Sequence, residues 1–172
     1  MKKLLLLAVI GWMSIMAVSA QKTDLKTDLM LKQAKSMLAF NAGYSFELGN
    51  GMYPSRFDFS IDWHKRHLML GAGTKIPSSN DPRFELNVHG GSNIFWGDFW
   101  VTPQIEIAVN HQTSWDWSVG AGLQLNYCIV GPLTVFTKVC WQSPVEFKPK
   151  VVIGPGGRTM FTIGLAMLRF RY

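Results

Sequence analysis

The sequence predicts an all-β fold, an eight-stranded antiparallel up-and-down transmembrane β-barrel. Three observations predict it. Apolar residues recur at every second position through most of the chain from Met37 onward. The segments between the alternating runs are short and long by turns. An apolar leader with a basic start precedes them all. The bulk numbers agree: 172 residues, 48% apolar, 13% aromatic and 16% charged fit one domain and are too greasy for a disordered chain. Two cysteines exclude a disulfide-framed miniprotein and a four-cysteine zinc site. The net charge of +6 is mild and its basic residues are scattered, so no nucleic-acid partner is expected.

Residues 1–20 read as a signal peptide. Lys2 and Lys3 precede the run from Leu4 to Val18, and Val18-Ser19-Ala20 places small residues at the cleavage positions. An N-terminal membrane helix would need a longer apolar core. Cleavage after Ala20 leaves Gln21 first, and Gln rather than Cys there argues against a lipid anchor. Residues 21–36 form an N-terminal segment in which Lys-Thr-Asp-Leu occurs twice, with Leu25, Leu29 and Ala34 as the apolar side of a short helix. A mobile linker is the alternative.

Residues 37–172 are the barrel. The first strand sets Leu38, Phe40, Ala42, Tyr44 and Phe46 against Ala39, Asn41, Gly43, Ser45 and Glu47. The second sets Phe57, Phe59, Ile61 and Trp63 against Asp58, Ser60 and Asp62. A weaker run at 67–74 is the third. In the fourth, Phe84, Leu86 and Val88 alternate with Glu85, Asn87 and His89. In the fifth, Ile105, Ile107 and Val109 alternate with Gln104, Glu106, Ala108 and Asn110. The sixth sets Trp117, Val119, Ala121, Leu123, Leu125 and Tyr127 against Asp116, Ser118, Gly120, Gly122, Gln124 and Asn126. The seventh is a weaker run at 133–141, and the eighth sets Leu168, Phe170 and Tyr172 against Arg169 and Arg171. Strand side chains alternate between faces, so each run has one apolar and one polar face.

Connections fall near 47–56, 64–66, 75–82, 95–98, 110–114, 130–132 and 142–158, and every second one is short. Tight turns at one end and longer loops at the other are the pattern of a bacterial outer-membrane barrel. An even strand number brings both termini to the tight-turn end.

Period two does not say which face meets lipid. Four features point the apolar face outward. The polar face is rich in glycine (Gly43, Gly71, Gly73, Gly91, Gly120, Gly122), which suits a narrow interior. Aromatic residues gather near run ends, where rings favour the lipid–water interfaces: Trp63, Trp96, Trp115, Trp117, Tyr127, Trp141, Phe170 and Tyr172. The polar face carries both signs of charge, which can pair inside a closed barrel: Glu47, Asp58, Asp62, Glu85, Glu106, Asp116, Lys138, Arg169 and Arg171. The sequence ends within a strand, on an aromatic residue.

With its leader, its eight alternating runs, its short–long connections and the terminal Leu168-Arg169-Phe170-Arg171-Tyr172, the chain resembles small outer-membrane barrels of the outer-membrane protein A or X type. The resemblance covers about 37–172 and rests on pattern, not on a diagnostic motif. It implies residence in the outer membrane of a Gram-negative envelope, monomeric, with lipid and lipopolysaccharide as surroundings. It also implies that the barrel-assembly machinery reads the last strand, with Phe170 and Tyr172 as the matching signal. The glycine expected five residues before the terminal aromatic is Met167 here, with Gly164 nearby. Pro103 is a second departure, because it removes a ladder donor within a strand.

An eight-stranded interior is just filled by side chains, so the charged lumen reads as a structural, non-conducting network. The expected role is structural or surface-interacting, without catalytic residues, metal or cofactor. One alternative is a lipid A-modifying barrel enzyme, whose nearest echoes are His89-Gly90-Gly91-Ser92-Asn93 and His111-Gln112-Thr113-Ser114. Neither supplies a nucleophile, base and orienting group together. The other alternative is a secreted lipocalin-like binder with its apolar face inward. In the longest loop, Lys148, Lys150 and Arg158 are candidate contacts for lipopolysaccharide phosphates. In the tight turn at 64–66, His64 and His67 flank Lys65-Arg66, which reads as a solvated basic turn rather than a metal site, within reach of anionic headgroups at the periplasmic rim. If Ile129 faces Leu133, Cys128 and Cys140 lie six rungs apart, too far for a disulfide, and both are free lumen thiols.

Overall fold

The computed structural model describes residues 36–48, 53–77, 84–111, 115–130, 132–146, 152–153 and 157–171. The leader, the segment before Ser36, Lys148, Lys150 and Tyr172 lie outside the described residues. Among the described residues, ten strand segments form the fold: β1 Ser36–Leu48, β2 Tyr53–Lys65, β3 Leu68–Ile76, β4 Phe84–Ser92, β5 Ile94–Trp96, β6 Phe99–His111, β7 Trp115–Val130, β8 Leu133–Glu146, β9 Val152–Ile153 and β10 Arg158–Arg171. Each long strand pairs antiparallel with its sequence neighbour, and β10 pairs with both β8 and β1. The sheet therefore closes into an eight-stranded up-and-down barrel, with β4 and β5 as one interrupted stave. The short β9 pairs with the end of β8 at Val145 and Glu146.

The β4–β5 interruption has a chemical cause. Gly91 pairs with Gln104 and Ile94 with Val101, so the register runs unshifted across the gap. The β6 residues across that gap are Thr102 and Pro103, and Pro103 has no N–H to give the ladder. By the same register Ser92 faces Pro103 and Asn93 faces Thr102, while the Asn93 backbone N–H points the other way, to the His67 carbonyl at 2.7 Å.

Two-residue turns join β2 to β3 and β5 to β6. Gly97 and Arg66 open them in left-handed conformations, with φ of 59° and 52°. Glycine is free there, whereas arginine carries a steric cost of roughly 1–2 kcal/mol. The Asn93 side chain offsets part of that cost by donating to the Arg66 and Leu68 carbonyls. These turns are shorter than the sequence pattern suggests, because β2 and β3 continue to Lys65 and begin again at Leu68. The β7–β8 hairpin differs by one residue from the expected pairing. Val130, not Ile129, faces Leu133, with a bulge between Cys128 and Val130. Cys128 still faces Thr134, and Cys140 faces Gly122. Both thiols are free and buried.

Alternation decides what points where. Phe40, Phe59, Ile61, Val88, Ile105, Ile107, Leu123, Leu125, Leu165 and Met167 are exposed on the outside. Asn41, Asp58, Asp62, Asn87, Glu106, Gln124, Asn126 and Lys138 are buried inside. Small residues make the cylinder fit. Gly43 pairs with Gly164, and Gly164 with Phe136. The buried Phe136 ring lies over both glycines, where a methyl group on Gly43 would meet it at 3.1 Å.

Candidate functional site

The site the sequence singles out is the lumen, and the strands deliver three stacked layers to it. Towards the long-loop end, β2, β3, β4, β6, β8 and β10 send ionic groups inward. Glu106 accepts from Lys138 Nζ at 2.5 Å, from Gln142 Nε2 at 2.6 Å and from Lys75 Nζ at 3.2 Å. Glu85 forms a close ion pair with Lys75 and accepts from Arg158 Nη2 at 2.9 Å and from Arg56 Nη1 at 3.4 Å. Arg158 also donates to Asn110 at 2.8 Å and to Gln142 Oε1 at 3.1 Å. Four cations thus surround two carboxylates, and Arg56, Lys75, Glu85 and Glu106 are at most 1% exposed. Buried charge survives only when paired and hydrogen-bonded, which this cross-barrel lattice achieves.

Below it lies a neutral-to-acidic layer. Asp62 accepts from Asn41 at 2.7 Å and meets His89 Nε2 at 2.8 Å, while His89 Nδ1 contacts Asn87 Oδ1 at 3.1 Å. Asp58 accepts from the Ser45 hydroxyl at 3.1 Å. Gly71 makes room here, since a Cβ on it would overlap both Asp62 and His89. Asn93 then ties the layer to the turn end, with Thr102 donating to its Oδ1 at 2.9 Å and His64 Nδ1 3.1 Å from the same oxygen.

The turn end is apolar. Met37, Ala39, Trp100, Cys128 and Leu168 form a buried cluster, with Phe95 and Phe170 packed against it. Trp100 stands edge-on to His64, ring centroids 6.4 Å apart, and packs on Phe95 at 6.0 Å. Inward side chains thus contribute an ionic, a polar and an apolar layer to the lumen.

The lumen residues read from the sequence divide into three groups. Asp58, Asp62, Glu85, Glu106 and Lys138 are buried inside, as the alternation predicts. Glu47 is half-buried and Asp116 exposed at the long-loop mouth, on the inward parity of their strands. Arg169 and Arg171 are a correction. Both are exposed on the outside, while Leu168 is 4% exposed within the plug. The reason is the full length of β10: Phe161, Ile163, Leu165 and Met167 occupy the outward positions, and Arg169 and Arg171 continue that same parity. Phe170 is corrected with them, because its ring joins the inner plug rather than an outer girdle. Arg158 is corrected as well. Its guanidinium turns into the lumen toward Glu85 instead of outward from a loop.

Trp96, Trp115, Trp117 and Trp141 are exposed on the outer surface, and Trp63 and Tyr127 half-buried there. Trp96 stacks on Phe99 at 5.4 Å. Arg56, Lys75 and Gln142 are the network members that the alternating runs do not reveal. The two cations fall in segments that read as connections, although their parity matches Asp58 and Gly73.

The enzyme echoes are dispersed. His89 is inside the lumen, hydrogen-bonded to Asp62 and Asn87, and His111 packs against Trp115 at the mouth, 4.5 Å between ring centroids. The lipocalin alternative requires an apolar interior, which the buried ionic layer contradicts.

No protein-family model and no curated protein sequence matches the chain. Its fold is similar to solved barrels. One is a major outer membrane protein from Thermus thermophilus, at 12% identity and a TM-score of 0.53 over 78% of this chain and 99% of that one. Another is the N-terminal β-barrel domain of Pseudomonas aeruginosa OprF, at 12% identity and a TM-score of 0.51 over 79% and 98%. At that identity the likeness concerns the fold, an eight-stranded barrel of the outer-membrane type.

Proposed function

We propose that this chain is a barrel of the bacterial outer membrane with a structural or surface-interacting role and a closed, non-conducting lumen. The observation that carries the reading is the inversion of polarity: apolar side chains outside, paired charges inside. In water such a surface would aggregate, because contiguous apolar area of this extent seeks hydrocarbon. In a bilayer the closed ladder satisfies every stave's backbone, and the outward apolar band meets acyl chains. The turn end with both strand termini is then periplasmic, and the long loops are external.

The buried inward side chains support a scaffold rather than a pore. An eight-stranded cylinder has room for side chains and little else. Here the ionic layer and the Trp100–Leu168 plug occupy it in series. Surface interaction falls to the external loops, and Lys148 and Lys150 in the longest connection of the sequence are its candidate contacts for lipopolysaccharide phosphates. No catalytic role is assigned, because the lumen histidine His89 has an acid and an amide beside it but no nucleophile among the groups it hydrogen-bonds.

Fractionation with conductance tests the reading. The expressed protein is expected in the outer-membrane fraction, with heat-modifiable migration on detergent gels. Reconstituted in planar bilayers, it is expected to give no stable single-channel steps. Recovery as a soluble monomer overturns the membrane assignment. Reproducible ion-selective steps overturn the closed lumen.

A further inference from the structure

The outward face of β10 changes character along its length. From Phe161 through Met167 it is apolar, and then Arg169 and Arg171 take the last two outward positions. Register places their neighbours. Arg169 lies beside Leu38, which pairs across β1 with Trp63, and Arg171 lies beside Ser36. Lys65 follows the Met37–His64 pair by one residue and is exposed on the same side. Ser36, Leu38, Trp63, Arg169, Phe170 and Arg171 line a groove of about 410 Å³ at this rim. Among the described residues, neither guanidinium has a carboxylate partner, and no acidic residue faces outward at this rim on β1, β2, β3 or β10.

We propose that Arg169 and Arg171 form, with Trp63 and Lys65, a binding site for the phosphodiester of an anionic glycerophospholipid in the periplasmic leaflet. The proposal rests on the membrane reading above. Its chemistry follows from position. Two outward residues spaced i, i+2 stand about 7 Å apart at the strand rise, so two flexible side chains can converge on one phosphate. Guanidinium forks match phosphate oxygens bidentately. Their aliphatic stems lie along apolar surface while the heads reach the headgroup layer. Trp63 supplies the amphipathic ring that favours the same depth, and Leu38 supplies the apolar floor for the first acyl carbons. Lys65 adds a third cation, about two strand spacings across the sheet from Arg171.

Native mass spectrometry of the folded barrel in detergent micelles tests this. Dioleoylphosphatidylglycerol and dioleoylphosphatidylcholine are offered at equal mole fraction, and retained lipid is counted. The expected result is preferential retention of the anionic lipid, falling about fivefold for each charge removed in R169Q, R171Q and R169Q/R171Q. R169K/R171K is expected to keep the preference in part. Inorganic phosphate at millimolar concentration is expected not to displace the lipid; complete displacement would mean a free-anion site and would overturn the lipid assignment. Equal retention of the two lipids by the native barrel, or an unchanged preference in R169Q/R171Q, also overturns it. The native comparison decides the matter even where the double variant does not fold. Vesicle flotation of the same sample separates the two readings: a barrel that inserts but shows no preference sinks only this site, whereas one that never inserts sinks the membrane reading.

Discussion

In the half of the lumen nearest the long loops, Glu85 and Glu106 hold Lys75, Lys138, Arg56 and Arg158 through hydrogen bonds that cross the barrel. In the half nearest the tight turns, Leu168, Met37, Ala39, Trp100 and Cys128 close the same cylinder by apolar contact. The bore is the same and the filling is opposite. The ionic half ties strands far apart in sequence at fixed points, such as Glu85 to Arg158. The apolar half is non-directional and depends on volume. The two should therefore fail differently. Loss of one charge strands its partners, whereas loss of a methyl group leaves a hole.

The sharpest break comes from Glu106→Ala. It leaves Lys138, Lys75 and Gln142 without their shared acceptor, and an uncompensated buried charge costs about 3–5 kcal/mol. Unfolding by urea in lipid vesicles, followed by tryptophan fluorescence, should show a loss of that size. The joint replacement Glu106→Leu with Lys138→Met should recover most of it, because a buried pair replaced by apolar groups of similar volume is often close to neutral. A double variant no better than E106A would mean that the lattice acts as a unit, with Gln142 and Lys75 unable to re-pair.

Leu168→Ala probes the other half. The residue is 4% exposed and packs within the apolar cluster, so its truncation follows the cavity rule, about 2–5 kcal/mol according to how far Trp100 and Phe170 relax. Leu168→Met, which conserves volume, should cost under about 1.5 kcal/mol in the same unfolding assay. Equal losses for L168A and L168M would argue against a packed plug at the turn end.

Much of this contrast is legible in the sequence, and what is not has physical causes. The runs at 38–46, 57–63, 84–89, 104–110 and 116–127 place every named residue on its correct face, because there each face has a uniform character. Period two is symmetric, however: within a short window it separates two faces without saying which is inside. Leu168, Phe170, Arg169 and Arg171 alternate cleanly, yet only the preceding Phe161, Ile163, Leu165 and Met167 show that the arginines share the outer face. The plug misleads for the same reason, since its apolar residues lie inside at a level where the alternation elsewhere puts polar ones. Phe99-Trp100-Val101 is apolar on both faces and so carries no period at all. Arg56 and Lys75 are missed because the strands extend into segments that read as connections. The pairing of Glu85 with Arg158 depends on barrel closure, which brings together residues that no local spacing relates.

The smallest effect expected is at the outer rim, and it discriminates between the two possible parities of β10. Were Arg169 and Arg171 lumen residues, their replacement would disrupt buried ion pairs and cost several kcal/mol. On the outside, without a carboxylate partner among the described residues, they resemble ordinary surface positions, where substitutions usually stay within about 0.5 kcal/mol. R169Q/R171Q should therefore unfold within that margin of the native barrel in zwitterionic vesicles, while E106A and L168A do not. Any stability difference should grow in vesicles rich in phosphatidylglycerol, because only there do the guanidiniums have an anionic lipid to lose. A large loss in both lipids would return the arginines to the interior and take the apolar plug with them, since Leu168 and Arg169 cannot occupy the same face of one strand.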